Sequence, residues 1–399
     1  MGLRGEAAII GLAELKPERR PSGPARFTLE QWADLSRMAL DDAGVSAAEV
    51  DGIATNAIDE SSKFAPATIA EYLGIPVNFG EFVDLGGATG AGMIWRAAAA
   101  IELGVADAVL CTIPGLPSPQ PPNASAKGPD YLGASSGAYG SPQAEFEIPF
   151  GNLAQNGPYA MIAQRYAAEY GLDPRALAKI AVDQRTNALA NPKAVFFGKP
   201  LTIEDVLKSP VVADPLRVLD CVMPCFGGVS VVVANADVAR RAGHRPVWVK
   251  GFGERVVFKT PTYATNLLET AIAPAAETAF GMAGIRRSDV DLVSLYDCYT
   301  ITVLMTLEDA GFCPKGRGAE FVASHDLTYR GDFPCNTHGG QLSFGQAGRA
   351  GGMSHVCDAA LQIQQRAGAN QVSNCNRAFV SGNGGIMSEQ VSLVLERRS

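Results

Sequence analysis

The sequence predicts an α/β fold in which two duplicated βαβαβ halves stack as layers, with a loop and cap region between them. Three observations carry this. Residues 43–56 (AGVSAAEVDGIATN) match residues 283–296 (AGIRRSDVDLVSLY). Residues 88–104 (ATGAGMIWRAAAAIELG) match 347–363 (AGRAGGMSHVCDAALQI), with Gly-Met aligned at 92–93 and 352–353. Strand-like apolar runs alternate with helical ones through both halves, which implies helices covering a largely parallel sheet.

The elements follow in order. AAIIGLA (7–13) is a strand, FTLEQWADLSRMALDD (27–42) a helix, and the first repeat is a helix end, a polar turn, a Val-Asp step and a buried strand. The small-residue helix at 88–104 leads into the strand DAVLCTI (107–113). In the second half VWVKGFG (247–253) is a strand and NLLETAIAPAAETAFGM (266–282) a helix. RAFVSGN (377–383) and SEQVSLVLE (388–396) are the closing strands. Small side chains at 88–104 and 348–363 suit the crowded centre between two sheets.

These boundaries give a first half over 1–113, a loop and cap region with return to the first sheet over 114–245, and a second half over 246–399. The stretch 114–143 is rich in Pro, Gly and Ser and has no apolar period; two helices, 157–171 and 173–191, follow it. Loops this long are usually functional, so a cap over a cleft is expected.

Composition narrows the function. The 399 residues are 47% hydrophobic and carry 33 basic and 41 acidic side chains, a net charge of −8. No basic face is visible, which argues against nucleic acid as a partner. No run of 18 apolar residues exists, so no membrane span is expected, and the short apolar core near the N-terminus does not suit a signal peptide. A cytoplasmic location follows as the expectation. With 43 Gly and 25 Pro the pair makes up about 17% of the chain, above the usual ~12%, which implies many tight turns or close backbone approaches. The eight cysteines stand at 111, 221, 225, 298, 313, 335, 357 and 375, and only Cys221 and Cys225 are close. With four histidines and no zinc-like spacing, reduced thiols and no metal site are expected.

Several residues are placed to do chemistry. A helix start at Gly87-Ala88-Thr89 offers N–H groups to an anion or oxyanion, and the loop Asn383-Gly384-Gly385 offers a second set. Glycines that merely permit close helix packing are the plainer alternative. Tyr296 and Tyr299 follow a buried strand and enter the expected cleft, as acid or base or simply as rim packing. His338, among Asn336, Thr337, Gly339 and Gly340, is the best base near neutral pH, or else a structural histidine. His355 lies inside an apolar helix and reads as a satisfied core residue; His244 and His325 sit in polar loops. GATGAG lacks the downstream acid of a dinucleotide fingerprint.

VDLGGATGAGM (83–93), YDCYTITVLMTLEDAGFCPKGRGAEFV (296–322), NTHGGQLSFGQAGRAGG (336–352) and SGNGGIMSEQ (381–390), with the duplicated halves, resemble a thiolase of the sterol-carrier-protein type over essentially the whole chain. Such a thiolase carries a nucleophilic Cys at the start of the first central helix, where this chain has Gly87. Its His-Asp-Cys-Phe stretch corresponds to Tyr296-Asp297-Cys298-Tyr299, the His of its Gly-His-Pro turn to Gln346, and its second Cys would fall in SGNGG. All the groups for Claisen chemistry are altered. Thiolase-like aldolases of steroid side-chain degradation are similar in lacking the Cys and in having Tyr at the position of Tyr296; they carry a further Tyr where this chain has Gln346.

The resemblance implies a carbon–carbon lyase of lipid metabolism, cleaving a β-hydroxyacyl-CoA thioester by a retro-aldol reaction. Tyr296 or His338 is the expected base, with Tyr299 and Gln346 beside it, and N–H groups near Gly87, Ala88, Asn383, Gly384 and Gly385 hold the enolate. β-Ketoacyl cleavage or condensation without Cys, and a non-catalytic acyl-CoA or lipid-binding scaffold, are the alternatives. No prosthetic group is expected; coenzyme A enters as part of the substrate, with Arg349 and Arg366 as candidates for its phosphates. The resemblance further implies a homodimer pairing strands near 81–86, and a small OB-fold, zinc-ribbon partner protein.

Overall fold

The computed structural model describes every residue except 1, 2, 4, 57, 62, 121–139, 153, 154, 260 and 399. Most of the Pro/Gly/Ser stretch expected to cap the cleft therefore lies outside the described residues. In chain order the strands are β1 (Ala8–Glu14), β2 (Gly52–Thr55), β3 (Phe79–Phe82), β4 (Ala108–Gly115), β5 (Val211–Ala213), β6 (Leu216–Arg217) and β7 (Gly227–Ala234). The second half supplies β8 (Val247–Val256), β9 (Leu292–Leu295), β10 (Arg377–Gly384) and β11 (Glu389–Glu396). β5 and β6 form a small separate pair; the rest run β3-β2-β4-β7-β1-β8-β11-β10-β9.

The order is close to a mirror about the β1–β8 junction. β2 lies parallel to β3 and β4, and β9 parallel to β10, whereas β7 and β11 return antiparallel. The two expected layers are joined edge to edge at β1–β8, through Ala8↔Trp248 and Ile9↔Val247. The helices Thr89–Glu102 and Gly351–Ile363 pack against one another between the inner faces of both half-sheets. A Cβ on Gly90 would sit 2.6 Å from the Met353 nitrogen, so only glycine permits this approach. The buried Ile9, Met93, Val231, Val249 and Leu393 belong to this central core, each contributing roughly 1.5–3 kcal/mol. Trp32, Ile10 and Val232 anchor the outer core of the first half; Phe280, Leu304 and Phe379 anchor that of the second.

The sequence repeat has a physical content. Its Ala-Gly steps are the ends of helices Thr28–Ala43 and Ile272–Ala283, closed by left-handed Gly44 (φ 69°) and Gly284 (φ 67°). Its Val-Asp steps place Asp51 and Asp291 just ahead of β2 and β9. Asp51 accepts the backbone N–H groups of Asp107 (2.9 Å) and Ala108 (3.0 Å) at the start of β4. Asp291 accepts those of Asn376 (2.8 Å) and Arg377 (3.0 Å) at the start of β10. Each carboxylate thus fixes the register of a parallel pair.

One helix boundary differs from its expectation. The run from Asn266 becomes helical only at Ile272, because the Asn266 side chain accepts the Leu268 N–H (3.0 Å) and Thr270 Oγ1 that of Ile272 (3.2 Å). Such side chains favour turns and caps over helix interiors. Among the described residues no helix is long and apolar enough to cross a membrane.

Candidate active site

The site forms where the first central helix begins, beside the ends of β9 and β10. Tyr296 follows β9 directly, and its phenol enters between the starts of the two central helices. A Cβ on Gly87 would lie 2.2 Å from Tyr296 Cζ, 2.3 Å from its Oη and 2.4 Å from the Asn383 carbonyl oxygen. A Cβ on Gly352 would lie 2.0 Å from the Gly87 carbonyl oxygen. The ring therefore occupies the space that any side chain at position 87 would need.

Gln346 Nε2 donates to Tyr296 Oη at 3.1 Å. Gln346 is held by its own backbone, its carbonyl accepting the Cys225 N–H at 2.7 Å. Burial pushes the Tyr296 phenol well above its usual value, so it stays protonated at neutral pH; hydrogen bonds from Gln346 and Gln341 oppose this only in part.

On the far side of Asn383 lies a second phenol. Tyr159, from helix Asn156–Tyr170, donates to the Gly385 carbonyl (3.2 Å) and accepts from Asn383 Nδ2 (3.0 Å). Tyr299 stacks on Tyr159 with ring centroids 4.4 Å apart and donates to Asn156 Oδ1 at 2.6 Å. Cys298 is the thiol at this point, 3.7 Å from Asn383 Nδ2; burial pushes it up to about 12, which leaves it no thiolate to attack with.

The expected oxyanion donors divide. The Ala88 N–H is committed to the Leu85 carbonyl at 3.0 Å, and Gly384 is paired with Glu389 in the β10–β11 ladder. Gly385, in a left-handed turn (φ 57°), lies at the tip beyond β10. Gly87, Asn383, Tyr296 and Gln346 are thus brought together, with Gly385 reached through Tyr159.

His338 faces elsewhere. Its Nδ1 lies 3.1 Å from Asp358 Oδ2, and its ring packs edge-on to His355 at 5.2 Å and against Phe344 at 5.0 Å. His355 stands between it and Tyr296, whose ring is 6.0 Å from that of His355. Burial alone would lower the His338 pKa, but the Asp358 carboxylate outweighs it and raises it; Asp358 is held below its ordinary range by His338, Thr337 and Ser294, against its own burial. The His338 contribution is complete below about pH 6.5 and is lost as pH rises through the raised folded value. The Asp358 contribution is complete above about pH 3.9 and is lost as pH falls through its lowered one. The Tm gap between the native chain and Asp358→Asn should therefore be wider at about pH 6 than at about pH 8.5. An equal gap at both would remove the pair.

The two arginines considered for phosphates are engaged. Arg366 is paired with Asp42, and Arg349 Nη1 donates to Asn56 Oδ1 at 2.9 Å.

Comparison with known proteins gives this geometry a family. Residues 253–397 match the family described as Thiolase C-terminal domain-like. Over 403 aligned residues the chain is 31% identical to the steroid side-chain-cleaving aldolase of Thermomonospora curvata, with 99% of each chain covered. The chain belongs to the thiolase-like aldolases. It is also 31% identical to the 17-hydroxy-3-oxo-4-pregnene-20-carboxyl-CoA lyase of Mycobacterium tuberculosis, covering 96% of this chain and 98% of that one. The solved "Ltp2-ChsH2(DUF35) aldolase" superposes with a TM-score of 0.85 at 28% identity, covering 99% and 98%. This aldolase is a carbon–carbon lyase with the thiolase fold, working by retro-aldol chemistry.

Three groups at the aldolase's site escape a reading of the sequence. Tyr159 and Asn156 lie far from Asn383 and Tyr299 along the chain, on a helix with no distinguishing motif. Gln341 stands in the short helix Gly340–Ser343 just after His338, whose histidine draws the attention.

Proposed function

We propose that this aldolase cleaves the Cα–Cβ bond of a β-hydroxyacyl-CoA thioester with Tyr296 as its proton-transferring group. The observation that carries this is the exchange of volume at position 87, where the phenol of Tyr296 fills the space a nucleophilic side chain would take. The balance needs no oxidant and no water. The β-hydroxyl proton leaves to a base, the Cα–Cβ pair becomes a thioester enolate, the β-carbon departs as a ketone or aldehyde, and Cα takes up one proton. A neutral phenol suits both ends, since its oxygen can accept the hydroxyl proton as its own proton passes to Cα. N–H groups at Gly87 and Gly385 are the proposed enolate donors. His338 is proposed to stabilise the fold, because its ring lies behind His355.

The relatives named for steroid cleavage support a steroid-like acyl group, and coenzyme A enters as the substrate's carrier with no prosthetic group. β3 stands at the open edge of the sheet, which supports pairing with a second copy there. The relative solved as an Ltp2-ChsH2(DUF35) assembly supports a small OB-fold partner, and a cytoplasmic site of action suits a CoA-dependent enzyme.

The test is direct. The purified chain, alone and with a DUF35 partner, is incubated with steroidal and simple branched β-hydroxyacyl-CoA esters, and released ketone and shortened acyl-CoA are quantified together. Equimolar products support the reading; no turnover in the complex on any ester ends it. Gln346→Leu removes a donor to Tyr296 Oη while keeping the volume, and is expected to lower kcat by about 10-fold. An unchanged kcat would detach Gln346 from the chemistry.

A further inference from the structure

We infer that Tyr159 is a positioning residue that aims the Gly385 N–H at the enolate oxygen. This rests on the reading of the Gly87 and Gly385 N–H groups as enolate donors, and adds the residue that sets the second of them. The Gly385 N–H makes no hydrogen bond among the described residues. Its nitrogen lies 3.5 Å from where a Cβ on Gly86 would stand, so it borders the turn that carries Gly87. A free donor serves an oxyanion well when its direction is fixed before the charge develops.

The fixing comes from both sides of Gly385. On one side Gly384 ends β10 and is paired with Glu389 of β11. On the other, the peptide unit joining Gly385 to Ile386 is tied at both ends. Its carbonyl accepts the Tyr159 hydroxyl at 3.2 Å, and its N–H donates to Ser388 Oγ at 3.2 Å. Between these anchors the backbone bends at a left-handed φ of 57°, and a Cβ on Gly385 would lie 2.3 Å from Ser388 Oγ. With both flanks held, the direction of the N–H between them is set.

Tyr159 can hold this peptide because its single proton has one destination. Its oxygen accepts from Asn383 Nδ2 at 3.0 Å, and Asn383 Oδ1 accepts from Gln390 Nε2 at 2.7 Å, so the Asn383 amide nitrogen faces the phenol. The Tyr159 proton is left for the Gly385 carbonyl. The ring is buried and stacks on Tyr299 at 4.4 Å, and the Tyr299 hydroxyl donates to Asn156 at the start of the helix that carries Tyr159. Partners on every side hold the phenol in one direction, as outer groups hold a reacting group in an enzyme.

The experiment measures, by calorimetry, the binding of two coenzyme A thioethers to the complete enzyme and to its Tyr159→Phe variant. Carboxymethyl-CoA puts a carboxylate where the enolate charge develops; ethyl-CoA has no such charge. The native enzyme should prefer the anion. Tyr159→Phe keeps the ring and its stacking, and is expected to weaken carboxymethyl-CoA by about 10-fold while ethyl-CoA stays within about twofold. In turnover, kcat should fall by about 10-fold with KM within about twofold. Equal losses for both thioethers would make Tyr159 a packing residue, and an undiminished preference for the anion would leave Gly385 independent of it; either overturns the inference. A native enzyme without preference for the anion overturns the reading of the enolate donors instead, so the two failures are told apart. Should Tyr159→Phe not fold, Ser388→Ala frees the other end of the same peptide unit, with the same selective loss expected and an intact preference overturning the inference.

Discussion

Tyr296→Phe is expected to lower kcat for carbon–carbon cleavage by roughly 10²–10⁴-fold, the range typical of a lost acid–base group. The ring remains, so it still fills the gap between Gly87 and Gly352, and the packing of the two central helices is kept. What goes is one hydroxyl, leaving the Gln346 amide donor buried without its partner, at about 1–3 kcal/mol. Tm should fall by only a few degrees. Activity measured by carbonyl release and Tm by calorimetry separate these effects. Native-level turnover in the folded variant would end the assignment, and a collapse of Tm would make Tyr296 a packing residue first.

The second large effect is expected at position 87. Gly87→Cys places a thiol where a thiolase would carry one, yet it should abolish cleavage without bringing thiolysis, and should lower Tm. The new Cβ would meet the Tyr296 ring at 2.2 Å and the Asn383 carbonyl at 2.4 Å, and the second of these is backbone in β10 that cannot swing away. Overpacking of a tight core costs about 1–3 kcal/mol even where side chains can adjust. Adding Tyr296→Gly removes the ring but not the carbonyl, so the double variant should regain part of the lost Tm and none of the cleavage. A Gly87→Cys protein with native Tm and native cleavage rate would refute the volume exchange.

The fold is legible in this sequence largely because its repeat is built from groups with fixed jobs. Gly44 and Gly284 are helix caps, and Asp51 and Asp291 bind neighbouring strand starts, so their spacing records geometry. The edge joint of β1 with β8 is not legible, since it rests on two backbone pairs that leave no mark on side-chain pattern. At the site, Gly87, Tyr296 and Gln346 stand out because they replace the groups of a known framework. Tyr159 does not, because its place there comes from meeting Asn383 and Gly385, which a distant strand and its following turn supply. His355 reads from sequence as a buried core residue, and it is buried; its ties to Ser294 and Asp297 become visible only when β9 and the second central helix are packed together.

The placement of β1 between β7 and β8 bears on how the chain is made. The first strand to leave the ribosome has no strand neighbour until β7 emerges roughly 200 residues later, which at ~5–20 residues per second is about 10–40 s. Throughout that interval the segment Ala8–Glu14 can shelter only one face, under helix Thr28–Ala43, while both its edges stay open. Nascent chains of this aldolase should therefore be most prone to capture by chaperones, or to mispairing with one another, before residue 227 is synthesised. Their vulnerability should end abruptly rather than by degrees, when the two edges of β1 close in quick succession.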